Sequence, residues 1–429
     1  MARSPETPSP ASSSQPHGLA ATRLVCPWCG ASRSPDLYPW CRRCRGSLSA
    51  EVDRPLDLPA VARSLWDFAP LLPAGPVAVS LGEGATPLLP LHTLFPGDEV
   101  YAKAEWMNPT GSFKDRGAAV AVSTALALGA EGVVCASTGN NGAAVSAYAA
   151  RAGLPCIVTL PVGTPPGKIV QARAHGGMVV EIPGTFSDAY QLAERIQEAD
   201  GRWANLTSTF ANPYMTAAHA TITYEAWAAL GERVGTIIVP IGAGPMLVGI
   251  LDGADRLLHA ERISRLPIPV GVQAAGCAPI ARAYARGESE VTAWEGDCSG
   301  IAGSINDPLR GYPADGTRTL RAVQQARGVI HAVSDAEIVQ AMRDLGRVEG
   351  IACEPTAAAP LAAFRALERT NPLPRPVVLI VSGHVLKDPM SQPECLALSL
   401  TADPTADPRE FIAAAKTHRR SIPHPKCGT

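Results

Sequence analysis

From about residue 80 onward, short unbroken apolar runs alternate with alanine-rich stretches of helical period. The runs at 133–137, 156–160 and 178–182 lack polar alternation, which suits strands covered on both faces. Between them, 143–152 and 167–177 read as helices, the second closing on Gly176 and Gly177. A further helix is expected from Ser187, a residue type that caps helix starts. The runs at 236–240, 270–274 and 376–381 continue the series, again with helical stretches between them. Strand–helix alternation of this kind predicts an α/β protein with twisted, mostly parallel sheets covered on both faces. Two sheets fit the spacing better than one. A small lobe is expected over 112–225, and a large lobe from 80–111 plus 226–400. Residues 1–21 are rich in Pro and Ser without periodicity and read as a disordered tail. The segment 401–429 reads as a C-terminal tail with a short helix over 408–416.

Composition narrows the partners. The chain has 429 residues, enough for two core-bearing domains and an appendage. Its formal net charge is −2 and only 18% of residues are charged, so the basic footprint of a nucleic-acid binder is missing. The longest apolar stretch, 236–251, is interrupted by Pro240, Gly242, Gly244 and Pro245, which argues against a membrane span. The first twenty residues lack an apolar core, so no export signal is read and a soluble cytoplasmic protein is expected.

Four of the eleven cysteines form one pattern: Cys26 and Cys29, then Cys41 and Cys44, two C-x-x-C knuckles with eleven residues between. Each knuckle can present two thiolates from a tight turn, and two such pairs complete a tetrahedral zinc shell. A zinc-ribbon-like segment is therefore expected over 22–50, its metal structural because all four positions are sulfur. Cys135, Cys156, Cys277 and Cys353 sit in apolar surroundings and read as small core residues. The odd total, without an export signal, implies reduced thiols throughout.

The candidate chemistry lies in the turns. N-P-T-G-S-F-K-D-R-G at 108–117 delivers Lys114 into the start of an apolar helix. A lysine there can lose its proton and form a Schiff base with an aldehyde cofactor; an exposed lysine paired with Asp115 is the alternative. In open parallel sheets, ligands bind where strands end and helices begin. After the strand at 133–137 comes S-T-G-N-N-G, where Ser137, Thr138 and Asn140 with helix-start amides can seat a carboxylate. After 236–240 comes I-G-A-G-P-M, whose Gly242, Ala243 and Gly244 let backbone amides approach a phosphate. After 376–381 comes Ser382, a hydroxyl able to meet a heteroaromatic nitrogen. Together these are the contacts pyridoxal phosphate needs.

In this order, N-P-T-G-S-F-K-D-R-G, A-S-T-G-N-N-G, the glycine turn at 242–244, E-G-I-A-C-E-P-T-A-A-A and S-G-H-V-L-K-D resemble the threonine synthases. These are fold-type II pyridoxal phosphate enzymes, two-lobed and tryptophan synthase β-like. The resemblance covers about 80–395, and many members carry a zinc ribbon like 24–48. It implies that Lys114 is the Schiff-base lysine and proton carrier, and that Asn140 bonds the cofactor's ring hydroxyl. Ser382 would face the pyridine nitrogen, and Gly242, Ala243 and Gly244 would cradle the phosphate. Ser137, Thr138 and Asn141 would hold the amino-acid substrate. It further implies a homodimer.

The chain departs from the family in three places. Pro245 removes a donor from the cradle. Where the family grips a substrate phosphate with a segment like N-S-x-N-P-x-R, this chain has T-F-A-N-P-Y-M, with Thr209, Phe210 and Met215. Ala220 stands in a family lysine slot, leaving Lys168, Arg173 or His219 as possible replacements. Losing an arginine that grips a dianion is a large change. Two substrate readings therefore stand. One is O-phosphohomoserine giving threonine and phosphate. The other is replacement or elimination on a different amino acid, as in cysteate synthase-like or serine/threonine dehydratase-like relatives. A zinc-bearing binding protein without catalysis is the reading from another class.

Overall fold

The computed structural model describes residues 18–388, together with 410–412 and 415. An N-terminal three-stranded antiparallel sheet comes first, built from β1 (Thr22–Val25), β2 (Ser32–Arg33) and β3 (Ser49–Val52) in the order β2-β1-β3. The two cysteine knuckles lie in the turns of this unit. The expected tail ends earlier than residue 21: Gly18–Ala21 is a 3-10 turn, and Leu19 N–H donates to Ala74 O at 3.0 Å. Residues 1–17 lie outside the described residues, as does most of the expected helix at 408–416, of which 410–412 and 415 are helical.

The main body follows as β4 (Leu88–Pro90), β5 (Val100–Lys103), α1 (Lys114–Ala127), β6 (Gly132–Ala136), α2 (Asn140–Ala152), β7 (Cys156–Pro161), α3 (Pro166–Ala174), β8 (Met178–Ile182), α4 (Phe186–Ala199) and β9 (Trp203–Asn205). It continues through α5 (Pro213–Ala218), α6 (Ala220–Leu230), β10 (Thr236–Pro240), α7 (Pro245–His259), β11 (Ile268–Ala274), α8 (Pro279–Ala285), α9 (Pro313–Gln325), β12 (Val329–Val333), α10 (Asp335–Val348), α11 (Pro355–Glu368) and β13 (Val377–Ile380).

Two sheets organise these elements. The smaller runs β8-β7-β6-β9, all parallel. The larger runs β12-β11-β10-β13-β5-β4, parallel except for the edge pair β4–β5. The expected strands recur within a residue or two; every residue of β6, β10 and β13 is buried, whereas β8, at the edge of its sheet, has none buried. Helix α1 is buried along nearly its whole length, from Asp115 to Ala125. Its small side chains let it pack 13-residue α2 closely on one side and α5 on the other.

Two expectations change. The helix expected from Ser187 is capped instead by Thr185, whose N–H and hydroxyl both donate to Asp188. Ser187 lies inside its first turn. And Cys277 is not a free core thiol: it is disulfide-bonded to Cys298, with Cα atoms 5.0 Å apart. The fold explains why sequence missed this, since Cys298 lies in a loop that folds back beside the turn after β11. Cys135, Cys156 and Cys353 are buried and form no disulfide.

Candidate active site

Lys114 enters the site because its turn is stitched to two distant loops. Phe113 N–H donates to Ser382 O at 3.0 Å, His384 N–H to Gly111 O at 2.9 Å, and Glu354 N–H to Gly383 O at 3.1 Å. These bonds join the strand end at β13, the start of α11 and the start of α1 into one wall. The carboxyl ends of β6 and β10 supply the opposite wall, as expected for a parallel sheet. Between them lies a cavity of ≈ 230 Å³ lined by Lys114, Ser137, Thr138, Asn140, Asn141, Gly242, Ala243, Gly244 and Ser382, every proposed site residue of the main body.

The lysine is not paired with Asp115. That carboxylate is buried and accepts from Thr110 N–H and from Thr110 Oγ1 at 2.8 Å. Lys114 Nζ instead donates to Ser208 Oγ at 2.9 Å, facing the cavity. Burial of the amine lowers its pKa to about 8, against the opposing pull of Glu354 and Asp307. A neutral amine is thus accessible near neutral pH, as a carbonyl nucleophile requires.

Two carboxylates that the sequence reading did not single out share this cavity. Glu354 is buried, accepts from Asn140 Nδ2 at 2.9 Å, and is pushed up to about 7 by burial. Asp307 accepts from Tyr312 Oη at 2.9 Å and Leu309 N–H at 3.0 Å; burial raises its pKa, while the Ala243 amide and Lys114 draw it down. Glu354 sits inside the quoted E-G-I-A-C-E-P-T motif, so a signal existed. Asp307, in a loop without periodicity, had none.

The polar residues after β6 divide their work. Ser137 Oγ accepts from Gly142 N–H at 2.8 Å and Gly139 N–H at 3.2 Å, fixing the helix start. Asn141 Nδ2 donates to Leu206 O at 2.9 Å, and its Oδ1 is buried without a partner among the described residues.

Three features fit a phosphorylated pyridine aldehyde. Ser382 Oγ is buried with no partner among the described residues, a cost unless something bonds it. Gly242 to Gly244 form an amide-lined turn at the start of α7, where the helix dipole favours an anion. Gly244 has φ +100°, and a Cβ there would meet Thr319 Oγ1 at 2.4 Å; Thr319 Oγ1 in turn donates to Ala243 O at 2.5 Å. The loss of the Pro245 donor is therefore met by a turn held from behind.

Where a substrate phosphate would be gripped, the departures read in the sequence are buried and mostly turned away. Thr209 lines the cavity, but Phe210 and Met215 do not, and both are buried. Of the replacements considered, Lys168 lines the cavity and pairs with Asp388 at 2.8 Å. Arg173 is exposed elsewhere. His219 packs on the Phe113 ring behind the cavity, with a pKa lowered to about 3 by burial and by Lys114 and Arg116. Lys387 is a further lining cation; its Nζ donates to Thr110 O at 3.0 Å and to Gln171.

Away from the cavity, Cys26, Cys29, Cys41 and Cys44 place their sulfurs within 4.8 Å of one another. The Cys26–Cys44 and Cys29–Cys41 separations are 3.5 and 3.6 Å. Four thiolates about 2.3 Å from one tetrahedral metal ion lie roughly 3.8 Å apart. The donor set fits such an ion.

Known proteins bear on this geometry. The family described as "Pyridoxal-phosphate dependent enzyme" matches residues 79–383. The threonine synthase of Methanosarcina acetivorans is 37% identical over 384 residues, covering 86% of this chain and 93% of that protein. The threonine synthase of Mycobacterium tuberculosis is 37% identical over 316 residues, covering 72% and 84%. Among solved structures, a T.th. threonine deaminase aligns with a TM-score of 0.58 at 27% identity, over 69% of this chain and 92% of that one. O-ureido-L-serine synthase shares the fold at 22% identity, with a TM-score of 0.57 over 77% of this chain and 96% of that one. No described helix is long and apolar enough to cross a membrane. Taken with the lysine-bearing cavity at the strand ends, these matches show that the chain belongs to the pyridoxal-phosphate dependent enzymes, as a threonine synthase-like member.

Proposed function

We propose that the protein carries out elimination or replacement at the side chain of an amino acid, with O-phosphohomoserine and water giving threonine and phosphate as its specific reaction. The observation that carries this reading is Lys114: a cavity-facing amine with a depressed pKa, at the meeting point of three strand ends. When bound, pyridoxal phosphate supplies an electron sink for the charge left at Cα. The chain's own residues supply the rest. Lys114 anchors the cofactor and moves protons at Cα and its neighbours, and Ser208 orients its amine. Gly242, Ala243 and Gly244 would hold the cofactor phosphate through backbone amides, and Ser382 would meet the ring nitrogen. Asn140, its amide held by Glu354, would bond the ring hydroxyl. Ser137, Thr138 and Asn141 hold the substrate carboxylate, while Lys168 and Lys387 supply positive charge for a substrate anion.

A second reading is favoured by the segment 209–215. Phe210 and Met215 give the cavity no cation, and the lining cations other than Lys114 already have partners among the described residues. An amino acid without a phosphate ester, serine-like or otherwise, suits that wall. Phosphate release from O-phosphohomoserine with threonine formation tests the first reading. Absence of turnover, together with a visible spectral shift on adding another amino acid, selects the second. Borohydride trapping and peptide mapping test both, since each requires the cofactor on Lys114.

The cysteine cluster completes the proposal as a structural zinc site, supported by four sulfur donors at tetrahedral spacing. The lobes are taken as 112–225 and 80–111 with 226–400, matching the two sheets in composition. Homodimerisation enters from the family resemblance, and a cytoplasmic setting from the sequence reading of an N-terminus without an apolar core.

A further inference from the structure

The N-terminal cysteine-bearing unit rests on helices that flank both sheets, and one of those helices, α9, reaches from it to the cavity wall. Towards the smaller sheet, Trp40 Nε1 donates to Glu194 at 3.2 Å, Gln197 Nε2 donates to Leu37 O at 2.6 Å, and Tyr214 Oη donates to Asp36 O at 2.8 Å. Towards the larger sheet, Arg318 of α9 reaches the segment that follows the second knuckle, from the bridge at Ser47 to the start of β3 at Ser49. Its Nη1 donates to Leu48 O at 3.1 Å and Ser47 Oγ at 3.3 Å, and its Nη2 to Ser49 Oγ at 2.6 Å. Its guanidinium also stacks on Phe210, with Cζ 4.4 Å from the ring centre.

Phe210 is where this matters. Its two preceding neighbours, Ser208 and Thr209, line the cavity, and Ser208 holds the Lys114 amine. The Phe210 N–H donates to Asp315, also on α9, at 3.3 Å. Both the ring and the backbone of Phe210 are therefore set by α9, and Arg318 is itself braced by the cysteine-bearing unit. A planar guanidinium can stack on one face while donating in its plane; an ammonium cannot do both.

We propose that Arg318 is a positioning residue that couples the four-cysteine metal site to the cavity wall at Ser208 and Thr209, by stacking on Phe210 while binding residues 47–49. Loss of the metal loosens the 47–49 segment, releases the guanidinium, and lets the 208–210 segment shift. The coupling rests on the proposed metal site and on the cavity as the substrate site, but its main test needs no turnover.

The test is hydrogen–deuterium exchange on cofactor-loaded, full-length protein before and after removal of zinc by chelation. In the wild type, exchange of peptides covering 206–216 accelerates about tenfold on zinc removal, while α1 peptides stay within about twofold. In Arg318→Met these peptides already exchange fast, and zinc removal adds less than about twofold. The double variant Ser47→Ala/Ser49→Ala keeps the arginine and loses two of its acceptors; it gives the same pattern and serves if Arg318→Met does not fold. With O-phosphohomoserine as probe, kcat/KM falls about tenfold in Arg318→Met. Arg318→Lys does not restore it. Exchange at 206–216 that ignores zinc, effects of zinc removal and Arg318→Met that multiply independently, or purified protein without metal overturns the coupling. Failure of O-phosphohomoserine to react refutes the proposed substrate and leaves the exchange result to decide the coupling.

Discussion

Replacing Arg116 by Met strikes the charge cluster that seats the first turn of α1. Arg116 is fully buried and makes four charge-assisted bonds: Nε and Nη2 to Glu105 at 2.8 and 2.7 Å, Nη1 and Nη2 to Glu225 at 2.6 and 2.7 Å. Lys103 adds a second cation, 2.6 Å from Glu225 and 3.6 Å from Glu105. Two cations and two carboxylates thus balance in a dry site. Met fills the volume and leaves two buried carboxylates facing one lysine. Breaking a buried pair in this way costs about 3–5 kcal/mol. Glu225→Gln removes one negative charge instead, and the double variant restores one cation to one anion. The double variant is therefore expected to lose about 1–3 kcal/mol less than the sum of the singles. Urea unfolding of the cofactor-loaded protein, followed by fluorescence, measures all three. The balance also has a pH signature. Burial alone would raise the Glu105 pKa, but Arg116 and Lys103 outweigh it and hold it at about 2, below an unfolded value near 4.5. A depressed carboxylate pKa gives stability that is complete above the unfolded value and lost as pH falls from about 4.5 towards 2. Arg116→Met should flatten that acid limb. Additive singles within about 0.5 kcal/mol, or an unchanged acid limb, would show that the cluster does not act as a balanced unit.

Cofactor loading should follow the neutral fraction of Lys114. With a pKa of about 8 that fraction is about a tenth at pH 7 and about nine tenths at pH 9, so the rate of absorbance growth rises roughly tenfold and then levels; a rate still climbing steeply between pH 9 and 10 contradicts it. Ser382→Ala should weaken the cofactor by roughly 1 kcal/mol, about fivefold in a fluorescence titration. It should not lower the stability of the cofactor-free protein, because the hydroxyl has no partner there among the described residues; a clear stability loss would assign Ser382 to the fold. Gly244→Ala forces a Cβ against Thr319 at a backbone angle that only glycine adopts easily. Cofactor affinity should fall at least about tenfold, and an unchanged affinity would remove the turn from the cradle.

Much of this protein was legible one residue at a time. Continuous apolar runs marked β6, β7 and β10 because a strand covered on both faces leaves no room for polar alternation; β8 shows the same run but lies at a sheet edge with no residue buried. Two C-x-x-C knuckles brought four sulfurs together because their turns are local. That Lys114, Asn140 and Ser382 line one cavity could be anticipated because strand ends and helix starts are themselves sequence signals. What only the tertiary structure decided is who stands opposite whom. The insertion of β13 between β10 and β5 sets Ser382 beside Phe113, a pairing no period encodes. Asp307 reached the cavity from a loop, Cys298 reached Cys277, and Arg318 reached both the 47–49 segment and Phe210. Arg116 found Glu225 across 109 positions of chain. Periodicity reports a residue's immediate surroundings, burial or exposure. Charge pairing and substrate fit depend on distances between segments, and those exist only once the sheets have closed around them.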